Sequence, residues 1–234
     1  MEAQQLPEYI ISRRDVDVQE GPEGVIGSGA LGEVRRGEYR GEPCALKGLH
    51  LLRTDAASVA GFGGALNPDE RSAYLGKFMQ ECEFMRSFKH DNIVPFFGVV
   101  CDDTAAREPL YLAMLLVPSG TLQDLIHGER YGLMRTDERC LPLEYQLVAL
   151  AGLFAALEYL ASRKLIHRDV KPANILAIVE PGEKQELLLH KILLADFGEA
   201  KQLTQSMSRV SGAGTPVYMA PEMGQEDEAK GPKA

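Results

Sequence analysis

The sequence predicts an α+β fold in two parts: a small antiparallel-sheet region carrying one helix, then a larger, mainly helical region. Three observations predict it. Strand-like alternation runs through residues 22–47, a three-and-four apolar spacing marks residues 69–88, and a strongly apolar helical stretch over 141–162 follows a break at Pro118-Ser119-Gly120.

Taken in chain order, residues 1–21 read as an N-terminal extension, 22–117 as the small region, 118–222 as part of the larger one and 223–234 as a polar tail. Within 22–47, apolar residues alternate around Val25, Val34 and Tyr39, Gly41-Glu42 supplies a turn, and Cys44-Ala45-Leu46-Lys47 forms a compact third strand. Residues 54–68 are rich in glycine and other small residues, so they read as a loop. Leu75, Phe78, Met79, Cys82 and Met85 then give the helix at 69–88 one buried stripe. Residues 93–101 and 110–117 read as two further strands that close the sheet, and no internal repeat is visible.

Composition narrows the function classes. A chain of 234 residues can bury a sizeable core, and a formal charge of -9 argues against binding nucleic-acid backbones, which needs clustered Lys and Arg. Cys44, Cys82, Cys101 and Cys140 are too scattered for a zinc pair or a redox Cys-x-x-Cys, and read as reduced, mostly buried thiols. The start of the chain lacks a basic segment followed by an apolar run. The longest apolar stretch, residues 147–157, is too short to span a bilayer and is followed by Glu158, so no membrane segment and a cytoplasmic location are expected.

Three blocks carry chemistry. The first is Ile26-Gly27-Ser28-Gly29-Ala30-Leu31-Gly32-Glu33-Val34, whose glycines let backbone approach phosphate oxygens because no Cβ holds the chain away. Dinucleotide-binding folds share this spacing but need a helix directly after it, and residues 33–39 read as a strand. Lys47 on the next strand is placed to reach nucleotide phosphates if a carboxylate holds it. Glu81 and Glu83 compete for that role; Glu81 shares the stripe side with Phe78 and Met85, which leaves Glu83 as a surface acid. The second block is His167-Arg168-Asp169-Val170-Lys171-Pro172-Ala173-Asn174 and the third Asp196-Phe197-Gly198; together they supply a base and two oxygen ligands suited to a hard cation such as Mg²⁺.

In this order the blocks are the signature of protein kinases, and over residues 22–222 the chain closely resembles eukaryotic protein kinases. The resemblance implies a two-lobed fold, with residues 22–117 as the ATP-binding lobe, and MgATP as phosphoryl donor. It implies that Asp169 accepts the substrate hydroxyl proton, that Lys171 neutralises the transferring group, and that Asn174 and Asp196 hold magnesium. By the same alignment Ile26, Gly27, Gly29 and Gly32 cover the nucleotide, Val34, Ala45 and Leu176 sandwich the adenine, and Leu115 and Val117 offer backbone hydrogen bonds beside it. Met114 is the bulky residue behind the adenine, while Met85, Phe96, His167 and Phe197 stack as an internal spine.

Lys171 together with Gly214-Thr215-Pro216-Val217-Tyr218-Met219-Ala220-Pro221-Glu222 resembles serine/threonine kinases more than tyrosine kinases, with Thr215 bracing Asp169 and Lys171. Phe88-Lys89-His90-Asp91-Asn92-Ile93-Val94-Pro95 and Ser119-Gly120-Thr121-Leu122 look like the tyrosine-kinase-like group. In the family, Arg168 pairs with a phosphorylated activation loop, so phosphate on Ser206, Ser208 or Ser211, with Thr204 a further acceptor, and an upstream activating kinase are expected. Two departures stand out: longer loops between Lys47 and Glu81 and at 180–186, and an end soon after Pro221-Glu222 that reads as truncation of the larger lobe. The expected activity is transfer of the γ-phosphoryl of MgATP to a protein serine or threonine. The alternative is a truncated, non-catalytic nucleotide-binding or interaction module.

Overall fold

The computed structural model describes residues 9–29, 32–48, 68–103, 109–127, 141–182, 187–203 and 214–219. The glycine-rich residues 54–67, Cys140, the loop residues Thr204, Ser206, Ser208 and Ser211, and everything from Ala220 onward lie outside the described residues. The chain divides into two compact units, Met1–Lys89 with Val94–Val117, and His90–Ile93 with Pro118–Ala234.

The first unit is built on a sheet of seven described strands: β1 (Ile10–Ser12), β2 (Val16–Val18), β3 (Val25–Gly29), β4 (Gly32–Tyr39), β5 (Glu42–Gly48), β6 (Phe96–Cys101) and β7 (Pro109–Leu115). Their order is β1-β6-β7-β5-β4-β2, and the free edge of β4 serves two partners in turn, β3 through residues 32–35 and β2 through 37–39. Residues 10–18 therefore do not stand apart as the extension expected over 1–21. They complete the sheet because Ile11, Val16 and Val18 bury their side chains with Cys44, Leu46, Val100, Tyr111 and Ala113 on one face. Nor is the sheet purely antiparallel, since β1 runs parallel to β6.

Strand alternation sends Ala45 and Lys47 to the other face of β5, where Val34 lies opposite Lys47 on β4 and Leu112 and Met114 flank them on β7. Helix α1 (Pro68–Ser87) packs against β6 and buries Phe78, Glu81, Cys82 and Met85. Met79, expected in that stripe, is exposed: the buried residues step by three and four from 78, and 79 falls a hundred degrees off their line. Cys44, Cys82 and Cys101 are buried. Burial, helped by Glu38, pushes the Cys44 thiol up to about 11, and burial, helped by Glu81, raises Cys82 further.

The second unit holds α2 (Leu122–His127), α3 (Leu143–Ser162), β8 (Leu165–Ile166), β9 (Ile175–Pro181), β10 (Leu187–Leu194) and β11 (Lys201–Gln202). Asn92 ties its early segment to β10, donating its side-chain amide to the Ile192 carbonyl at 3.0 Å while its own carbonyl accepts from Leu194 N–H at 2.8 Å. The β9–β10 hairpin runs from Ile175 opposite Leu194 to Pro181 opposite Leu187, and residues 183–186 of the longer loop expected at 180–186 lie outside the described residues. Helix α3 packs Ala149, Gly152, Ala156 and Leu160 inward, and Gly152 lets it approach so closely that a Cβ there would lie 2.8 Å from Ile192. Its outer face leaves Leu143, Leu147, Leu150 and Phe154 exposed. The apolar stretch is longer than the expected 147–157: the whole 20-residue helix is, by length and composition, enough to cross a membrane. One stripe of the helix packs against β10 and β8, while most of its surface is left uncovered among the described residues.

Candidate active site

In the first unit the hairpin β3–β4 brings Gly27 opposite Val34 and Gly29 opposite Gly32 around the turn. A Cβ on Gly27 would meet nothing closer than Val34 at 3.8 Å. Nothing among the described residues thus demands glycine at 27, which fits a residue kept small for an outside group. Gly37, farther along β4, is the opposite case: a Cβ there would come within 2.7 Å of the Asp17 carbonyl, so its smallness serves packing.

Lys47 is nearly buried, and its ammonium donates to both carboxylate oxygens of Glu81, at 2.7 and 2.9 Å. Glu81 itself is 1% exposed, which forces the pairing, because a buried carboxylate without a counter-charge is prohibitively costly. Of the two competing acids, Glu83 points outward and meets Arg86 at 3.8 Å. Ile26, Val34, Ala45, Leu115 and Val117 belong to this same unit. The Leu115 N–H is already spent on the Pro95 carbonyl at 3.0 Å, so any hydrogen bond from Leu115 to a ligand runs through its carbonyl.

The second unit assembles the other group of predicted residues. Asp169 Oδ1 accepts from the Thr215 N–H at 3.0 Å and the Thr215 hydroxyl at 2.8 Å, while Oδ2 accepts from Asn174 Nδ2 at 2.9 Å and lies 2.8 Å from Lys171 Nζ. Lys171 also donates to Thr215 Oγ1 at 2.8 Å, closing a ring of three side chains. Burial pulls the Asp169 carboxyl upward, but the hydrogen bonds from Lys171, Thr215 and Asn174 and the charge of Lys171 together outweigh it and hold it below the usual range. The group is an anion at neutral pH and a weak base, suited to orienting a hydroxyl and taking its proton as the oxygen becomes bonded.

Two backbone strains support this arrangement. Gly214 has φ +114°, and a Cβ there would sit 2.5 Å from the Arg168 carbonyl; only glycine lets the chain pass so close and lay Thr215 on Asp169. Arg168 and Asp196 take positive φ values of 70° and 60°, a cost that non-glycine residues bear mainly at functional sites. His167 is buried; its Nδ1 accepts from the Asp169 N–H at 3.3 Å, so Nε2 carries the proton and donates to the Ala195 carbonyl at 3.0 Å. Burial lowers its pKa and keeps the ring neutral, against the opposing pull of Ala195, Asp196 and Asp169. Phe197 packs edge-on against it at 5.0 Å.

The hairpin also sets the two expected metal ligands at one end. Ile175 pairs with Leu194, Asn174 precedes the first and Asp196 follows the second by two residues, and Ala195 N–H donates to the Asn174 carbonyl at 2.9 Å. Asn174 commits Nδ2 to Asp169, which leaves its Oδ1 as the oxygen to offer a cation. Asp196 Oδ1 accepts from Gly198 N–H at 3.4 Å. One amide and one carboxylate oxygen suit Mg²⁺, which takes few protein ligands and completes its shell with water and phosphate. Among the described residues no cluster of three His, Cys, Asp or Glu side chains forms a metal cage. Leu176, expected to meet adenine, lies on β9 opposite Leu193.

Residues 22–234 match the family described as protein kinase domain. The chain belongs to that family. Its relatives include a probable serine/threonine-protein kinase of Dictyostelium discoideum, 34% identical over 84% of this chain and 33% of the relative. Mitogen-activated protein kinase kinase kinase 2 of Arabidopsis thaliana is 31% identical over 85% of this chain and 26% of its own length, and human serine/threonine-protein kinase ULK1 is 30% identical over 85% and 15%. The chain spans a third or less of the length of these proteins. Within the family its likeness is to serine/threonine kinases. The sequence reading of the site overlooked one residue, Glu199, whose carboxylate reaches Arg168 Nη2 at 3.2 Å; an acid beside a glycine turn carries no signal of such a role.

Proposed function

We propose that this protein transfers the γ-phosphoryl group of MgATP to a serine or threonine hydroxyl of a protein substrate. The observation that carries the reading is the Asp169 carboxylate held at once by Lys171, Asn174 and Thr215. Three donors fix its orientation, so reorganisation at the moment of transfer is small. Asp169 orients the hydroxyl and takes its proton as the oxygen bonds to phosphorus and the bond from phosphorus to the bridging β-γ oxygen breaks, releasing ADP. Lys171 offsets charge on the moving group. Asn174 and Asp196 would hold magnesium, which when bound neutralises phosphate charge.

In the first unit the reading assigns the nucleotide to the glycine hairpin, with Ile26, Gly27, Gly29 and Gly32 over its phosphates, Val34 and Ala45 against the base, and Lys47 held by Glu81 for the α- and β-phosphates. Asp169→Asn tests the proposal: transfer should vanish while the MgATP-induced rise in melting temperature persists. Undiminished transfer in that variant overturns it. The second reading, a nucleotide-binding or interaction module without turnover, is favoured by the exposed apolar face of α3. It predicts the same melt response and no transfer by the wild-type chain.

A further inference from the structure

Arg168 sits directly before Asp169, and its side chain is only 12% exposed. A guanidinium so placed needs an anion, because its desolvation otherwise works against the conformation that buries it. The anion is Glu199, two residues past Phe197, with Oε2 at 3.2 Å from Nη2. The pair is lopsided: Glu199 is 38% exposed on its side chain, and the buried Arg168 Nε has no hydrogen-bond partner among the described residues. Two further constraints act on the same residue. Its backbone is held at a positive φ of 70°, and its carbonyl faces Gly214, the residue that delivers Thr215 to Asp169. Movement of Arg168 would therefore disturb both the peptide leading into Asp169 and the approach of Thr215.

We infer that Glu199 is a positioning residue: its carboxylate neutralises Arg168 from within the chain and keeps Asp169 in order without a phosphate on the protein. The inference rests on the phosphotransfer reading above. It runs against the expectation of a phosphate on Ser206, Ser208 or Ser211 as a condition of activity. A carboxylate that already occupies the guanidinium removes the need for a second anion to form the site.

The test uses the 234-residue chain treated with phosphatase and shown bare by intact mass, beside the protein as purified. Initial rates are measured with labelled MgATP and a mixed-sequence peptide library containing serine and threonine, and MgATP-dependent melts are recorded in parallel. Bare wild type should turn over at a rate close to that of the untreated protein. Glu199→Gln should lower kcat by about 10- to 100-fold, the scale of one charge-assisted hydrogen bond. Its KM for ATP and its MgATP melt shift should be unchanged, and Glu199→Asp should recover most of the rate. A loss of folding alone would move the melts and would not leave KM in place. If the untreated protein transfers phosphate and the bare protein does not, or if Glu199→Gln keeps wild-type kcat, the inference is overturned and the phosphotransfer reading survives. If neither the untreated nor the bare protein transfers phosphate, the functional reading itself fails and the inference with it.

Discussion

Breaking the Lys47–Glu81 pair separates what the pair does for stability from what it does for the nucleotide. Both groups are nearly buried, Lys47 9% and Glu81 1% exposed, and two bonds of 2.7 and 2.9 Å join them. Glu81→Gln keeps the shape and removes the charge that the buried ammonium pairs with, and breaking a buried pair from one side costs roughly 3–5 kcal/mol. In a protein of this size each kcal/mol moves the midpoint by about 2–4 °C, so the variant should melt roughly 6–20 °C below wild type. Replacing both partners, Lys47→Met with Glu81→Leu, removes attraction and desolvation together and should restore most of the midpoint, since such pairs stand near balance against apolar residues of similar volume. MgATP at about one hundred times its dissociation constant should add roughly 2.7 kcal/mol to wild type. It should add nothing to the double variant, which lacks the ammonium. Melts followed by circular dichroism with and without MgATP read both quantities. A Glu81→Gln midpoint within a degree of wild type would refute the argument, as would a double variant that melts as low as the two single losses combined.

Four further outcomes follow from the same geometry. Thr215→Ala removes the hydroxyl shared by Asp169 and Lys171 and should lower kcat by about 10- to 100-fold, with Thr215→Ser near wild type in steady-state assays, because one hydrogen bond to a charged group is worth about 1.5–3 kcal/mol. Gly214→Ala should be less stable by roughly 1–3 kcal/mol in denaturant unfolding, since the new methyl meets the Arg168 carbonyl and the backbone angle suits only glycine. His167 has a lowered pKa in the fold, so the unfolded chain takes up a proton that the native chain refuses; this part of the stability is complete above about pH 6.5 and is lost as pH falls below it. Melts of wild type and His167→Phe from pH 7.5 to 5 should converge as the wild type weakens. Replacing residues 183–186 by two glycines should leave transfer unchanged, because the β9–β10 register fixes Asn174 and Asp196 from the opposite end of the hairpin.

Which of these residues can be read from the sequence depends on whether the signal is local. The strands around Val34 and Lys47, the stripe of Phe78, Cys82 and Met85, and the apolar helix ending at Ser162 declare themselves because side-chain period and burial coincide within one element. Residues 10–18 do not, because their strands are three residues long and their burial depends on Leu46, Val100 and Tyr111, far along the chain. The β9–β10 hairpin was hidden for a related reason: its loop at 180–186 looks like an insertion, while the register that matters lies between Ile175 and Leu194.

Within the site, the same division holds and has a physical cause. Lys47 and Glu81 could be paired on paper because a lysine beside a glycine hairpin and an acid on a helix's inner stripe each have one buried place to go. Asp169, Asn174 and Thr215 were legible through the resemblance to protein kinases, as base, metal ligand and brace, while the bond from Asn174 Nδ2 to Asp169 is visible only in the structure. Glu199 was not, since an acid next to Gly198 is equally at home in solvent, and only the burial of Arg168 turns it into a counter-ion. Gly214 makes the general point from the other direction: glycine in a loop has many uses, and its use here, clearing the Arg168 carbonyl by the width of one methyl, exists only once residues 46 positions apart in sequence are brought together. The chemistry of this site is written in residue types; its precision is set by close approaches that no single stretch of sequence contains.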